Sequence, residues 1–382
     1  MRAKHDGFKA KLVLEDGSIF SGIGFGFTRT IVGEVVFNTG MVGYTEALTD
    51  PSYRGQLLCL TYPLVGNYGV PSYNVKDSFG LPKYFEAEHI QPKALIIHEL
   101  SQLASHWACE RTLDEWLYDE EIPGIYGIDT RELTKRIRVK GVMMGAMEVS
   151  KDEIKEESLL RELKNSVRYD DINFMPDVST KTAQTYGEQE ECIVLVDTGT
   201  KYSIARNIMR TGYRVVRLPY TADMKQVMSY KPKGVVLSNG PGDPKFCKET
   251  IQLSKDLLEK EIPTLGICLG NQILALASGA DTYKLKYGHR GQNKPCVDMR
   301  DGNAYVTSQN HGYCINPDSL KGTGFKLWFK NADDNTVEGI MHEDKPVIAV
   351  QFHPEASPGP YDCMFVFDML VKMIRGEKVA KA

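Results

Sequence analysis

The second half of this chain alternates short, unbroken apolar runs with stretches of helical periodicity, and no other feature constrains the fold as strongly. Residues 193–196 read Ile-Val-Leu-Val, residues 234–237 read Gly-Val-Val-Leu, and residues 264–267 read Thr-Leu-Gly-Ile, with helical patterns between them. Strands that are apolar at every position are typical of parallel sheets covered on both faces. The sequence therefore predicts an α/β domain over residues 191–382, with a mostly parallel sheet flanked by helices.

Residues 1–150 show a different pattern, with short strand candidates and few helices. Residues 11–15 and 18–21 flank Asp16-Gly17, a dipeptide typical of a two-residue hairpin turn. We expect a smaller, mixed α+β domain in this part of the chain.

Residues 151–190 are rich in charged and polar side chains and are predicted to be a linker with one surface helix. At about 150 residues per domain, a chain of 382 residues is long enough for two domains joined in this way.

Charge and composition exclude several classes of function. The chain has 46 basic and 50 acidic side chains, a balance that predicts no nucleic-acid partner and no anionic membrane surface. It has neither a signal-peptide pattern nor an apolar stretch of about 18 residues, so we expect a cytoplasmic protein. Its eight cysteines show no metal-ligand spacing with its histidines, and no metal site is predicted.

Cys268 is the one cysteine whose surroundings suggest chemistry. It follows the apolar run 264–267, precedes a helix predicted over 272–277, and has Gly266 and Gly270 two residues to either side. Such a strand-to-helix turn is the nucleophile-elbow arrangement with cysteine in place of serine. The helix N-terminus would favour the thiolate. A buried cysteine in a glycine-tolerant turn is the alternative interpretation.

Two further motifs follow predicted strands. His353 and Glu355, two residues apart after the apolar run 347–352, can project to the same side as a base and its orienting carboxylate. The glycines of residues 238–244 can bring backbone N–H groups to an oxyanion. Because the carboxyl ends of parallel strands meet at one edge of a sheet, we expect both motifs near Cys268. Either motif alone is also compatible with an ordinary turn.

With these residues the second half resembles the class I glutamine amidotransferases, which have a glycine-flanked nucleophilic cysteine and a later His-x-Glu. Residues 10–375 as a whole are similar to the family of small, glutamine-hydrolysing subunits of carbamoyl-phosphate synthetase. The stretches that carry this narrower resemblance are residues 33–40, 48–53, 60–63, 66–69, 129–131, 309–313 and 353–360.

The resemblance implies a role for each matching residue. Cys268 would be the nucleophile, His353 the general base and acid, and Glu355 its orienting partner. Backbone N–H groups around Gly240 and Leu269 would form the oxyanion hole. The residues expected to bind glutamine are Ser52, Gly240, Gly242, Leu269, Gln272, Asn310, Gly312 and Tyr313. Since Ser52 comes from the first half, the glutamine would lie in a cleft between the domains.

The reaction implied by the resemblance is hydrolysis of L-glutamine to glutamate and ammonia through a thioester on the cysteine. The chain contains no G-x-x-x-x-G-K-[ST] phosphate loop, and no cofactor is predicted in it. ATP, bicarbonate and Mg²⁺ would be used by a large synthetase subunit, which would receive the ammonia through a tunnel. The product of that large subunit, carbamoyl phosphate, would be used in arginine or pyrimidine biosynthesis.

One position departs from the family pattern, which often has histidine after the glycine at 270, whereas this chain has Asn271. His289 and His311 are interpreted as structural residues. Two other classes of function stay open. One is a partner-independent cysteine hydrolase on the same fold, such as a γ-glutamyl hydrolase or a peptidase. The other is a non-catalytic subunit that docks to a synthetase.

Overall fold

A computed structural model describes residues 7–377 and divides them into two compact units. Unit 1 comprises residues 7–77 and 82–172, and unit 2 comprises residues 78–81 and 173–377. The outer ends of the predicted domains, residues 1–6 and 378–382, lie outside the described residues.

Unit 1 contains nine strands and four α-helices in its described residues. The strands are β1 (Lys9–Leu14), β2 (Ile19–Gly26), β3 (Thr30–Asn38), β4 (Gln56–Leu60), β5 (Leu64–Val65), β6 (Ala94–Ile96), β7 (Glu99–Leu100), β8 (Pro123–Tyr126) and β9 (Met143–Ser150). The helices are α1 (Tyr44–Leu48), α2 (Leu113–Asp119), α3 (Thr130–Lys140) and α4 (Glu156–Asn165).

Seven of these strands close into a barrel in the order β1-β2-β8-β6-β4-β3-β9, with β9 antiparallel to β1. Strand β4 shows how the barrel builds its core, because its successive residues belong to different apolar clusters. Leu57 belongs to the cluster that contains Leu133 of α3, and Leu58 to the cluster that contains Trp116 of α2. This alternation is the two-residue period of a strand that is covered on both faces.

Strands β1 and β2 form the predicted hairpin, but its turn differs from the prediction. The Leu14 N–H donates to the Ser18 carbonyl oxygen at 2.9 Å, which leaves a loop of three residues rather than two. Gly17, the last loop residue, has φ +84°. A glycine in this left-handed conformation is typical of three-residue hairpin loops.

Residues 151–190, predicted as a linker, are divided between the two units. Helix α4 packs on β1 and β9 in unit 1 and buries Leu159 and Leu163, whereas residues 184–186 form an edge strand in unit 2. Only these two residues of α4 are buried, and most of its other residues are charged. This composition explains why the sequence pattern suggested a linker.

Unit 2 contains ten strands and six α-helices in its described residues. The strands are β10 (Gln184–Tyr186), β11 (Cys192–Asp197), β12 (Arg214–Pro219), β13 (Gly234–Leu237), β14 (Thr264–Ile267), β15 (Thr282–Asp298), β16 (Ala304–Ile315), β17 (Phe325–Asn331), β18 (Val337–His342) and β19 (Val347–Val350). The helices are α5 (Met175–Val178), α6 (Tyr202–Arg210), α7 (Met224–Ser229), α8 (Lys248–Glu259), α9 (Leu269–Ala277) and α10 (Phe365–Ile374).

These strands form one sheet in the order β10-β12-β11-β13-β14-β19-β18-β17-β15-β16. Strands β12, β11, β13, β14 and β19 are parallel, so the α/β class is confirmed. The sheet continues from β19 through four antiparallel strands that the sequence did not reveal. Strands β15 and β16 carry many polar side chains, such as Lys294 and Gln309, and therefore lack the apolar runs by which the parallel strands were found.

Both faces of the parallel strands are covered, as their apolar composition predicts. In β11, Ile193 and Leu195 belong to the cluster that contains residues of α6 and α10, and Val194 and Val196 belong to the cluster that contains residues of α7, α8 and α9. Within residues 7–377, no helix combines the length and the apolar character that a membrane crossing requires.

Candidate active site

Cys268 occupies the single residue between β14 and α9. Its backbone has φ +53° and ψ −100°, a conformation that non-glycine residues rarely adopt. Its N–H donates to the carbonyl oxygen of Val350 in β19 at 2.8 Å, which fixes the turn to the neighbouring strand. The side chain is 1% exposed and its Sγ lies 3.7 Å from the carbonyl oxygen of Asn310. A strained residue at this position is typical of a nucleophile elbow.

The two glycines around Cys268 are required by close backbone packing. A Cβ atom on Gly266 would lie 2.7 Å from the carbonyl oxygen of Gly270, and a Cβ on Gly270 would lie 2.3 Å from the carbonyl oxygen of Leu237 in β13. Helix α9 therefore starts in direct contact with two strands. This close contact explains why glycines lie two residues to either side of Cys268.

Replacing Gly270 with alanine should destabilise unit 2 by about 2–3 kcal/mol, because the added methyl group forces α9 away from β13. Thermal unfolding followed by circular dichroism measures the effect. On helix propensity alone the same substitution would stabilise α9 by about 1 kcal/mol. An unchanged or higher melting temperature would therefore contradict the packing argument.

His353 and Glu355 lie just beyond β19, the strand next to β14. The Nδ1 of His353 is 2.6 Å from Oε1 of Glu355, and both side chains are almost completely buried. Burial alone would lower the pKa of His353, but the Glu355 carboxylate raises it above its usual range, with a further contribution from a hydrogen bond to Cys268. The sulfur, the imidazole and the carboxylate thus form one buried series, as expected of a nucleophile, a base and an orienting group.

Lys201 is a residue of this site that sequence reasoning missed. It lies at the N-terminal end of α6, and its Nζ is 3.0 Å from Oε1 of Glu355 and 2.9 Å from the carbonyl oxygen of Ala356. Burial alone would raise the pKa of Glu355, but Lys201 and His353 together hold it below its usual range. The only signal in the sequence was a lysine shortly after an apolar strand, which is also common in ordinary turns.

Gly240 and Leu269 lie next to each other, as an oxyanion hole built from both requires. A Cβ on Gly240 would lie 2.7 Å from Cδ2 of Leu269 and 2.0 Å from the carbonyl oxygen of Thr198, so only glycine fits. Leu269 is the first residue of α9, where a backbone N–H has no acceptor within its own helix. Gly242 lies in the same turn as Gly240 and has φ +82°.

Four more of the residues expected to bind glutamine lie in α9 or in β16. Nε2 of Gln272 donates to the carbonyl oxygen of Tyr313 at 2.9 Å, and the Asn310 carbonyl oxygen faces the Cys268 sulfur. Gly312 lies between Asn310 and Tyr313 in β16.

Ser52 belongs to unit 1, where it is buried in a short turn and its N–H donates to Oδ1 of Asp50 at 2.9 Å. Its contribution to glutamine binding stays a prediction.

Asn271, the residue that departs from the family pattern, is completely buried. Its Nδ2 donates to Oε1 of Gln351 at 3.1 Å, and the same oxygen accepts a hydrogen bond from Gln272. The amide thus contributes to a hydrogen-bond network between α9 and the end of β19.

Known proteins match this chain in both of its halves. The family model "Carbamoyl-phosphate synthase small chain, CPSase domain" matches residues 12–147, and "Glutamine amidotransferase class-I" matches residues 194–373. A carbamoyl phosphate synthase small chain of Pyrococcus furiosus is 48% identical over 373 residues, which cover 97% of this chain and 99% of the relative. One of Methanopyrus kandleri is 44% identical over 369 residues, which cover 96% and 99%. The multifunctional protein CAD of Squalus acanthias is 45% identical over 97% of this chain, but the match spans 16% of that protein.

Proposed function

Because this chain belongs to the family of carbamoyl-phosphate synthase small chains, we propose that it is the subunit that hydrolyses glutamine for carbamoyl phosphate synthesis. The resemblance to that family and to the class I glutamine amidotransferases, predicted from the sequence, is confirmed. The observation that carries the mechanism is the buried arrangement of Cys268, His353 and Glu355.

In the first half of the reaction, Cys268 attacks the γ-carboxamide carbon of glutamine. His353 accepts the thiol proton and returns it to the leaving nitrogen, so that ammonia departs and a γ-glutamyl thioester stays on the sulfur. Glu355, 2.6 Å from Nδ1 of His353, holds the ring with Nε2 available for this transfer. The N–H groups of Gly240 and Leu269 would stabilise the oxyanion, a contribution of about 3–4 kcal/mol per donor in comparable sites.

In the second half of the reaction, water replaces ammonia. His353 removes a proton from the water as it attacks the thioester carbonyl, and the thiol is regenerated as glutamate leaves. Each turnover thus converts one glutamine and one water into one glutamate and one ammonia. Ser52, Gly242, Gln272, Asn310, Gly312 and Tyr313 would bind the substrate.

The ammonia would be passed to a large synthetase subunit, the partner that we propose for this chain. That subunit would bind ATP, bicarbonate and Mg²⁺, with no cofactor on the small chain. We place both subunits in the cytoplasm. This separation of roles fits the match to a family model for a small chain and the arrangement of Cys268, His353 and Glu355 for nucleophilic hydrolysis.

Glutamate release from glutamine by the isolated chain, with and without a large synthetase subunit, tests the proposal. We expect slow hydrolysis that accelerates when the partner is added. Rapid hydrolysis whose rate does not change when the partner is added would favour a free-standing hydrolase. Binding to the partner without any hydrolysis would favour a docking-only subunit.

Replacing Lys201 with methionine should lower kcat for glutamine hydrolysis about 10–100-fold. The substitution leaves the buried Glu355 with His353 as its remaining charged neighbour among the contacts described above. Breaking a buried ion pair costs about 3–5 kcal/mol, so the melting temperature should also fall. Lys233→Met, which removes an exposed ion pair with Glu191 at 2.9 Å, is the matched control and should change neither quantity. Equal effects of both variants would exclude a specific role for Lys201.

A further inference from the structure

Glu338 is a buried carboxylate that the proposed reaction does not use. It lies in β18 and is 0% exposed. Its Oε1 is 3.2 Å from Nδ1 of His289 in β15, 3.5 Å from Nε2 of His311 in β16, and 3.2 Å from Nδ2 of Asn331 in β17. One side chain thus connects all four antiparallel strands. Burial alone would raise the pKa of Glu338, but the two histidines hold it below its usual range.

Strand β16, which receives one of these contacts, also contacts three residues of the candidate active site. The Ser308 carbonyl oxygen accepts the His353 N–H at 2.8 Å. The Asn310 carbonyl oxygen faces Cys268 Sγ at 3.7 Å, and the Tyr313 carbonyl oxygen accepts from Gln272 at 2.9 Å. A displacement of residues 310–313 would therefore alter the surroundings of the nucleophile Cys268 and of Gln272.

The regular strand pairing of β16 is interrupted in this segment. Tyr313 pairs with Lys284 and His311 pairs with His289, so residues 285–288 of β15 stand opposite the single residue Gly312. Such an irregularity leaves the segment without an even ladder of backbone hydrogen bonds. Its position must then depend more on side-chain contacts.

His311 supplies such contacts on both sides of its ring. Its Nδ1 donates to the Tyr313 carbonyl oxygen at 2.9 Å, and its Nε2 lies 3.5 Å from Oε1 of Glu338. Burial lowers the pKa of His311, and the Glu338 carboxylate opposes that effect. Tyr313 is held from the other direction by Gln272 of α9. The series Glu338, His311 and Tyr313 thus reaches from β18 to the residues expected to hold glutamine.

We propose that Glu338 is a positioning residue that acts through His311 to hold residues 310–313 in the conformation that binds glutamine. This inference rests on the proposed function and deepens it, because it assigns the control of substrate affinity to a group that does not touch the substrate. In this proposal a buried carboxylate, rather than regular pairing between β15 and β16, fixes the position of the residues expected to bind glutamine.

His289, His311 and Glu338 also have the composition of a metal site, with their ligand atoms within 4.8 Å of one another. The amide of Asn331 argues against that alternative. Its Nδ2 donates to Oε1 of Glu338 and lies 3.4 Å from Nδ1 of His289, so an amide N–H competes with a cation for two of the three ligand atoms. Metal analysis of the purified chain checks this point, and stoichiometric metal bound at these residues would overturn the proposal.

The decisive variant is Glu338→Gln, which keeps the shape of the side chain and removes its charge. We expect the KM for glutamine to rise about tenfold or more while kcat for glutamate release stays within about threefold, the pattern of lost ground-state binding. Glu343→Gln, which disrupts an exposed ion pair with Lys326 at 3.3 Å, is the matched control and should change neither constant. An unchanged KM in E338Q would overturn the proposal, and so would a loss confined to kcat.

A double-mutant cycle tests the route through His311. If Glu338 acts through His311, the KM of the double variant E338Q/H311Q should match that of H311Q within about twofold. Multiplication of the two single effects would overturn the route. The double variant replaces the contact between Glu338 and His311 with a pair of amides. If E338Q alone fails to fold, the KM of the double variant can still be compared with that of wild type. An inactive wild-type chain would overturn the proposed function itself, whereas an active wild type with an unaffected E338Q would overturn only the role of Glu338.

Discussion

Cys268→Ala should reduce glutamate release from glutamine at least about 10⁴-fold while the protein stays folded. The thiol is the only protein group in the proposed reaction that forms a covalent bond to the substrate, so its loss removes the thioester pathway altogether. The substitution removes one buried sulfur and leaves the backbone between β14 and α9 unchanged. The cost in stability should be about 1 kcal/mol. A coupled glutamate dehydrogenase assay measures the rate, and circular dichroism measures the melting temperature.

Cys247→Ala is the matched control for this experiment. Cys247 is also completely buried and also immediately precedes a helix, α8, but it follows a short turn rather than a parallel strand. Burial raises the pKa of the Cys247 thiol well above its usual range, which makes it a poor nucleophile. Its alanine variant should hydrolyse glutamine at the wild-type rate. Normal activity in Cys268→Ala, or equal losses in both variants, would contradict the assignment of the nucleophile.

The convergence of the nucleophile and the base follows from the order of strands in the sheet. The sequence places Cys268 after one apolar strand and His353 after another, and this is enough to predict that both lie at the same edge. It does not predict that β14 and β19 are neighbours, because about eighty residues separate them. The adjacency arises because β15–β18 leave the parallel part of the sheet and return. The polar composition of β15 and β16 hides this excursion from a search for apolar runs.

The charged residues behind the site could not be predicted, for a different reason. Lys201 and Glu338 are buried only because distant segments supply their partners, Glu355 for the first and two histidines for the second. A lone lysine or glutamate in a sequence is far more often exposed. By contrast, Cys268 could be recognised because its glycine neighbours, which the close packing of α9 requires, are adjacent to it in sequence.

His353→Asn should lower the rate of glutamate release about 10³-fold or more and leave a γ-glutamyl thioester on Cys268. His353 is required in both halves of the reaction, but the two halves do not depend on it equally. A cysteine at a helix N-terminus keeps part of its nucleophilicity without a base, whereas water is a weak nucleophile that needs one. Hydrolysis of the thioester should therefore become the slower step. Mass spectrometry of the intact variant, mixed with glutamine and quenched in acid, should detect a covalent glutamyl adduct.

The melting temperature of the same variant, measured as a function of pH, should show how much the ion pair between His353 and Glu355 stabilises the folded chain. Because Glu355 raises the pKa of His353 above its usual value of 6.5, the pair stabilises the folded chain fully below about pH 6.5 and progressively less as the pH rises through the folded-state pKa. The difference in melting temperature between wild type and His353→Asn should thus be largest near pH 6 and shrink in alkaline buffer.

His342→Asn is the control for the adduct experiment. His342 accepts hydrogen bonds from the N–H groups of Asp344 and Lys345, and its variant should carry no glutamyl adduct once hydrolysis is complete. A thioester that fails to accumulate in His353→Asn, together with a difference in melting temperature that does not depend on pH, would mean that His353 is neither the base nor the charged partner of Glu355.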